Sequence, residues 1–408
     1  MKIQRAWKYK LILDDSQART LFLWMSHLRG LYNLALEQRI LLYHQNRKSL
    51  SWQDQANELP ELKEVATWLK DVPSQCLQQK LQDLDKAYDK FFSGGGFPRF
   101  KKRGASMSMR FPDPKQFSVD LVRGKRKAFL KLPKIGLLKF VNSQEIIGAI
   151  KNATISMSPA GDFFVSIQTE YELTVVANSG PGIGIDRGVT NFAVTSECKV
   201  FGLPTERIKF LEGQLKQAQK LLSKKVKGSK NFQKQKLKVA KAHQNIVNLR
   251  KDSMHKISND IANNHGLVVL EDLRTKNMTR SASGTREEPG RQVAQKSGLN
   301  RAILRNGWGE FGRQLEYKTA WNGGKVIKVA AHFTSQTCFK CHHVHKDNRN
   351  GESFVCRSCG QKDHADVNAA KNILAFGQRV LVCGETLSRG DGKTASRRRS
   401  MKQKPLVA

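Results

Sequence analysis

Apolar residues recur along this chain in two rhythms, and the switch between them predicts which elements form. Residues 1 to 13 alternate basic and apolar side chains, the period of a strand. From Ser16 the spacing changes to threes and fours, placing Trp24, Leu28, Leu31 and Ala35 on one helical face. Asp71 and Pro73 predict the start of a second helix, with Leu77, Leu81, Leu84, Tyr88 and Phe91 as its stripe. The other face carries Ser74, Gln78, Gln79 and Gln82, which suit base edges as well as water. SGGGFPRFKKRG ends that helix and marks a boundary. Beyond it, KAFLKLPKIGLLKF and ATISMSPAGDFFVSI predict short strands and turns, a small β-barrel threaded with lysine and arginine.

The second half opens on GIGIDRGVTNF, residues 182 to 192, which reads as the start of a buried strand. Strand alternation points Ile183 and Ile185 one way and Gly184, Asp186 and Gly188 the other. Glycines beside a carboxylate predict open space above it, where an ion and a nucleic-acid backbone can approach. FAVTSE, a turn at Glu197 and Cys198, and KVFGLP complete a three-strand antiparallel meander. Residues 206 to 263 read as long lysine-rich helices, with Leu211, Leu215, Ala218 and Leu222 as one seam and Leu237, Ala240, Ile246 and Leu249 as a less regular one. Gly228 and Ser229 form the turn between them. GLVVLED is a further strand ending in carboxylates, and residues 279 to 298 read as a flexible loop. LNRAILRNGWGEFGRQLEYKTAW follows as one helix with the stripe Leu304, Trp308, Phe311 and Leu315, then strand KVIKVA and a last helix in HADVNAAKNILAFGQRVL. The basic tail is expected to be disordered.

Charge narrows the partners. Against 35 Asp and Glu stand 71 Lys and Arg, a formal +36 in 408 residues. Solubility asks for far less, so a polyanion is the expected partner. The lysines of residues 206 to 256 have too few acids beside them for pairing along the helix, which favours phosphate contact. No apolar run is long enough to span a bilayer, and MKIQRAWKYKLIL lacks the apolar core of a signal peptide. The expected location is the cytoplasm, without a membrane partner.

Two constellations carry chemistry. Asp186 lies in one strand, Glu271 closes a later one and Asp366 begins the last helix, an order by which an RNase H-like core brings three carboxylates together. Phosphodiester hydrolysis on such a core uses divalent ions, and Mg²⁺ prefers oxygen ligands. Asp272 in place of Glu271, and Asp363 in place of Asp366, are open alternatives. The second constellation is CFKC, with Cys338 and Cys341, and CRSC, with Cys356 and Cys359. Two such pairs predict one structural Zn²⁺, because four thiolates leave no open position. Gly360 follows the second pair as turn geometry favours, whereas His342 follows the first.

With these parts located, the chain resembles the TnpB family of transposon-encoded RNA-guided DNA nucleases, relatives of the type V CRISPR effectors. The resemblance rests on PSQCLQQKLQDLDKAYDKFF with GFPRFKK, LKLPKIG, GIDRGVTNFAV, LEDL, GWGEFGRQLEYKTAW, TSQTCFKC, and CRSCG with HADVNAAKNIL. It implies an α+β multidomain fold. Residues 1–13 and 97–178 would form a β-barrel wedge domain, and 14–96 a helical recognition insertion. Residues 179–330 and 361–388 would form a RuvC-like nuclease domain, interrupted by a zinc ribbon at 331–360 and followed by the tail at 389–408. It also implies Asp186, Glu271 and Asp366 as the catalytic acids on two Mg²⁺ ions. The implied partners are a guide RNA derived from the transposon end and double-stranded DNA bearing a short flanking motif, with no obligatory protein partner. Trp52, Ser74 and Gln78 stand where base-reading contacts are expected, and Lys101, Lys102, Arg103, Lys224, Lys225 and Lys227 are expected on phosphates. A prokaryotic, nucleoid-associated enzyme follows. The alternative is an RNA-guided DNA-binding repressor that keeps the fold and does not cut.

Overall fold

The computed structural model describes residues 1–102, 107–121, 127–285, 287–330 and 332–383. Arg103 and the predicted disordered tail lie outside them. The described chain forms two compact units, one of Met1–Thr174 with Glu206–Leu249, the other of Val175–Thr205 with the residues from Arg250 onward. Residues 206–249, expected with the nuclease domain, group with the first unit.

In the first unit the alternating opening segment is strand β1 (Lys2–Ile12), whose Ile3, Trp7, Tyr9 and Leu11 are buried. It pairs antiparallel with β7 (Phe163–Glu172) and β5 (Gly136–Val141). The remaining strands are β2 (Met107–Phe111), β3 (Ser118–Asp120), β4 (Lys127–Leu132) and β6 (Ala149–Met157). The ladder runs β2-β6-β7-β1-β5-β4-β3, and among the described residues no pairing joins β2 to β3. Helix α1 (Asp15–Asn46) buries the expected Trp24, Leu28, Leu31 and Ala35. It starts one residue before the expected Ser16, at Asp15, because Asp14 and Gln17 form a reciprocal capping box. After α2 (Trp52–Asn57) and α3 (Leu59–Val65), α4 (Ser74–Phe92) buries Leu77, Leu81 and Leu84. Pro73 takes the cap position there without a side-chain bond, and Asp71 lies in a preceding 3₁₀ turn. Helix α5 (Thr205–Ser223) and α6 (Lys230–Asn264) follow, with Gly228 at φ 86° in the turn between them.

The second unit is built on a five-stranded sheet in the order β10-β9-β8-β11-β12. Strands β8 (Gly182–Asp186), β9 (Ala193–Thr195) and β10 (Val200–Phe201) form the antiparallel meander. Strands β11 (Leu267–Glu271) and β12 (Lys325–Val329) extend it in parallel from β8. The short α7 (Thr275–Met278) comes after β11. The segment expected as one long helix is two, α8 (Val293–Asn306) and α9 (Trp308–Trp321). Gly307, at φ 65°, breaks it. Leu304 is therefore exposed, and Ile303 takes the buried place. Helix α8 also claims the end of the expected loop.

One sheet face, with Ile183, Ile185, Val268 and Leu270, packs on Phe311 and Leu315 of α9 and on Ile257 and Ile261. The other face, with Val269, Ile327 and Val329, packs on Ile373 of α10 (Ala365–Cys383). Between β12 and α10 lies a small sheet of β13 (Arg349–Asn350), β14 (Ser353–Val355) and β15 (Lys362–His364).

Candidate functional site

Register brings the first two acids together. Ile185 lies opposite Leu270 in the parallel β8–β11 pair, so the next residues, Asp186 and Glu271, end neighbouring strands. By alternation each shares a face with Gly184 or Val269, the face that α10 covers. Asp366 is in the first turn of α10, at the helix end that favours a carboxylate. The expected open space above the glycines is not found. A Cβ on Gly184 would lie 2.1 Å from the Ala370 carbonyl oxygen, and one on Gly188 2.7 Å from that of Asn191. These glycines let backbone come close, and at Gly184 that backbone is α10, the carrier of Asp366.

The three carboxylates act on one another. The Asp186 carboxyl is pushed up to about 7, first by burial and then by the charges of Glu271 and Asp366. Burial also raises Glu271, against a hydrogen bond from Thr334 Oγ1 to its Oε1 at 2.5 Å. The two alternative acids have other surroundings. Asp363 accepts from Lys371 Nζ at 2.7 Å on β15, and Asp272 is exposed one residue past the strand.

Two arginines and an asparagine that the sequence reading did not assign complete the surroundings. Arg349 Nη2 donates to Asp366 Oδ1 at 2.9 Å, and Asn191 Nδ2 to Asp366 Oδ2 at 3.4 Å. Arg187 is buried, donating from Nη2 to the Glu271 carbonyl and from Nη1 to the Trp308 carbonyl at 3.3 Å. It ties the ends of β8 and β11 to α9. Its position beside Asp186 was the available signal; Arg349 offered none, since its partner lies on another element. Three carboxylates with hard oxygen donors and mutual repulsion are the ligand set a Mg²⁺ ion suits.

The cysteines form a tighter set. Their four sulfurs all lie within 4.8 Å of one another, with Cys338–Cys359 at 3.7 Å and Cys341–Cys356 at 3.5 Å. Tetrahedral thiolates about 2.3 Å from zinc stand about 3.8 Å apart, so this cluster fits that ion. Each pair sits in the same turn. The His342 and Gly360 amides donate to the Cys338 and Cys356 carbonyls at 2.9 and 3.0 Å, with φ 61° and 69°. His342 thus adopts the left-handed conformation that Gly360 adopts, and costs strain rather than a ligand. Two buried asparagines of α10 fasten the segment leading into the cluster. Asn368 Nδ2 donates to Thr337 O at 2.8 Å, and Asn372 Nδ2 to Thr334 O at 2.9 Å and Thr337 O at 2.7 Å.

The other expected contact residues that are described lie in the first unit. Trp52 is half-buried and packs on the core of the first unit. Ser74 and Gln78 are exposed on α4, with Lys63 Nζ 3.0 Å from Ser74 Oγ. Lys101, Lys102, Lys224, Lys225 and Lys227 are exposed. No described helix is long and apolar enough to cross a membrane.

Residues 163–282 match the family described as "Probable transposase", 308–373 the "Cas12f1-like, TNB domain", and 1–48 a "Helix-turn-helix domain". InsQ of Escherichia coli strain K12, named as a candidate RNA-guided DNA endonuclease, is 41% identical over 99% of this chain and 98% of its own. A protein of Streptomyces pristinaespiralis with the same description is 30% identical over 100% of this chain and 98% of its own. Among solved structures, that of a Cas12f1–sgRNA–target DNA complex aligns over 91% of this chain and 98% of its own, with a TM-score of 0.51 at 14% identity. The fold is therefore of the Cas12 effector type. The chain belongs to the TnpB family.

Proposed function

We propose that the chain is an RNA-guided, divalent-metal-dependent DNA endonuclease of a transposable element, cutting double-stranded DNA beside a short flanking motif. The observation that carries this reading is the convergence of Asp186, Glu271 and Asp366, where burial first and then the charges of the other two push the Asp186 carboxyl up to about 7. The sheet order, meander first and parallel strands after, supports an RNase H-like, RuvC-type core.

Asp186 and Asp366 would hold two Mg²⁺ ions, with Glu271 on one of them. Bound there, magnesium supplies charge neutralisation at the phosphate and activation of water. Thr334 fixes one Glu271 oxygen by a hydrogen bond, so that the carboxylate would be held in place for an ion. Arg349, a third exposed, is placed to exchange Asp366 for a phosphate oxygen of the strand to be cut. Arg187 holds the two strand ends in register from behind. The cysteine cluster would hold one structural Zn²⁺, closed to substrate. Guide pairing would read the target sequence, leaving the protein to grip backbone charge through lysines such as Lys101, Lys102, Lys224, Lys225 and Lys227. Trp52, Ser74 and Gln78 would face the flanking motif. The RNA is expected to derive from the transposon end.

Purified protein with its RNA, matching DNA and Mg²⁺ tests the reading. Wild type is expected to cut, and Asp186→Ala to lose cutting by at least about a thousandfold while still binding RNA. Intact DNA under demonstrated wild-type binding would instead support a repressor.

A further inference from the structure

A cavity of about 280 Å³ opens in the first unit between α1, α4 and the start of β2. Its floor is apolar, made by the buried Met25, Leu28, Tyr32 and Met107. Its rim is cationic: Arg29, Lys86 and Lys101 line it and have no acidic partner among the described residues. Lys101 is held in place, its amide accepted by Asn33 Oδ1 at 2.8 Å and its Nζ 4.9 Å from the Tyr32 ring centroid. The wall adds an ion pair, Lys80 Nζ to Asp83 Oδ2 at 2.6 Å, with the other Asp83 oxygen unbonded among the described residues.

These features select an occupant. A small inorganic anion would use the rim and waste the floor, and an apolar molecule would leave three cations unanswered. The volume lies just below the roughly 300 Å³ at which small-ligand pockets begin, too small for a duplex and suited to one flat unit. A nucleotide matches both halves, its base on the methionine and leucine floor and its phosphate among the rim cations. The spare Asp83 oxygen suits a sugar hydroxyl, which RNA offers at the 2′ position and DNA does not. We propose that this cavity receives one unpaired nucleotide of the bound RNA, with its base turned inward. The cavity is on a different side of α4 from Ser74 and Gln78, so it is separate from the expected base-reading face. The inference rests on the RNA-guided reading above.

Ala87 lines the cavity, so Ala87→Phe fills it and leaves every cation in place. Full-length protein with the RNA it retains is mapped by nucleotide-resolution chemical probing, with bound target DNA mapped in parallel. Wild type is expected to protect one unpaired RNA nucleotide. Ala87→Phe should re-expose that position and weaken RNA binding on the order of tenfold. Lys86→Ala, at an exposed site, should lower the slope of log affinity against log salt by about one. An RNA footprint unchanged in an Ala87→Phe protein that unfolds at the wild-type temperature overturns the assignment, as does a change confined to DNA. Should Ala87→Phe fail to fold, Lys86→Ala decides: an unaltered salt slope overturns it. Wild type that binds no RNA brings down the functional reading as well, whereas RNA bound without such a footprint brings down the cavity alone.

Discussion

Cys338, Cys341, Cys356 and Cys359 converge through two turns of the same shape, whereas Asp186, Glu271 and Asp366 converge from three separate elements with Arg187 and Arg349 set among them. Backbone hydrogen bonds shape both turns of the first set, and asparagine side chains fasten the segment leading into it. The second depends on a helix packing closely on a strand, and on cations that temper a crowd of negative charge. A set of the first kind is closed and suits a permanent ion. One of the second kind has partners that can exchange, as a site that must admit substrate requires.

The contrast can be broken most sharply at the sulfurs. Cys356→Ser should reduce zinc content from near one per chain to near zero, removing from the ribbon much of the about 10–16 kcal/mol that structural zinc contributes to folding. Metal analysis and loss of the ribbon's protection from proteolysis measure it. Mg²⁺ chelation, by comparison, should stop cutting and leave the fold in place.

The acids should respond to pH where the zinc site is expected to hold. Metal ligation needs ionised Asp186, whose carboxyl sits at about 7 in the metal-free protein. The Mg²⁺ concentration for half-maximal cutting should therefore rise as pH falls below that value, by up to about tenfold per unit. The stability sign is the reverse of a usual aspartate. Its folded-state value is raised, so its contribution is present at low pH and is lost as pH rises through about 7. Metal-free wild type should lose stability relative to Asp186→Asn over that range, as read by denaturant unfolding.

Gly184→Ala tests the close approach. With a Cβ 2.1 Å from the Ala370 carbonyl, α10 must shift, at a cost of about 1–3 kcal/mol. Cutting should fall because Asp366 moves, while zinc content should not. The smallest effect is expected at Arg349→Ala, which frees Asp366 Oδ1. In the absence of DNA, Mg²⁺ binding should tighten a few fold, on the order of 1 kcal/mol for a partly exposed ion pair, by calorimetric titration.

Much of this was legible in the sequence. The stripes of α1 and α4, the meander and the two cysteine pairs follow from spacing, because period and turn chemistry are local. The order of the three acids was readable for the same reason, as each ends or begins a periodic element. What escaped was non-local. The break at Gly307 was hidden because the apolar stripe runs across it, so Leu304 was read as core. Gly184 was taken as clearance for an ion when it is clearance for a helix. Arg349 lies 17 residues before its partner, and no periodicity links a cation on a two-residue strand to a helix-start carboxylate.

Strand β15 ends at His364 and α10 begins at Ala365, with Asn368 and Asn372 clasping the chain on the way into the thiolate cluster. An ion held by the four thiolates would therefore also steady Asp366. On the proposed reading, a cell short of zinc would go on making this polypeptide yet cut less DNA with it, so trace-element supply would act as a brake on cutting.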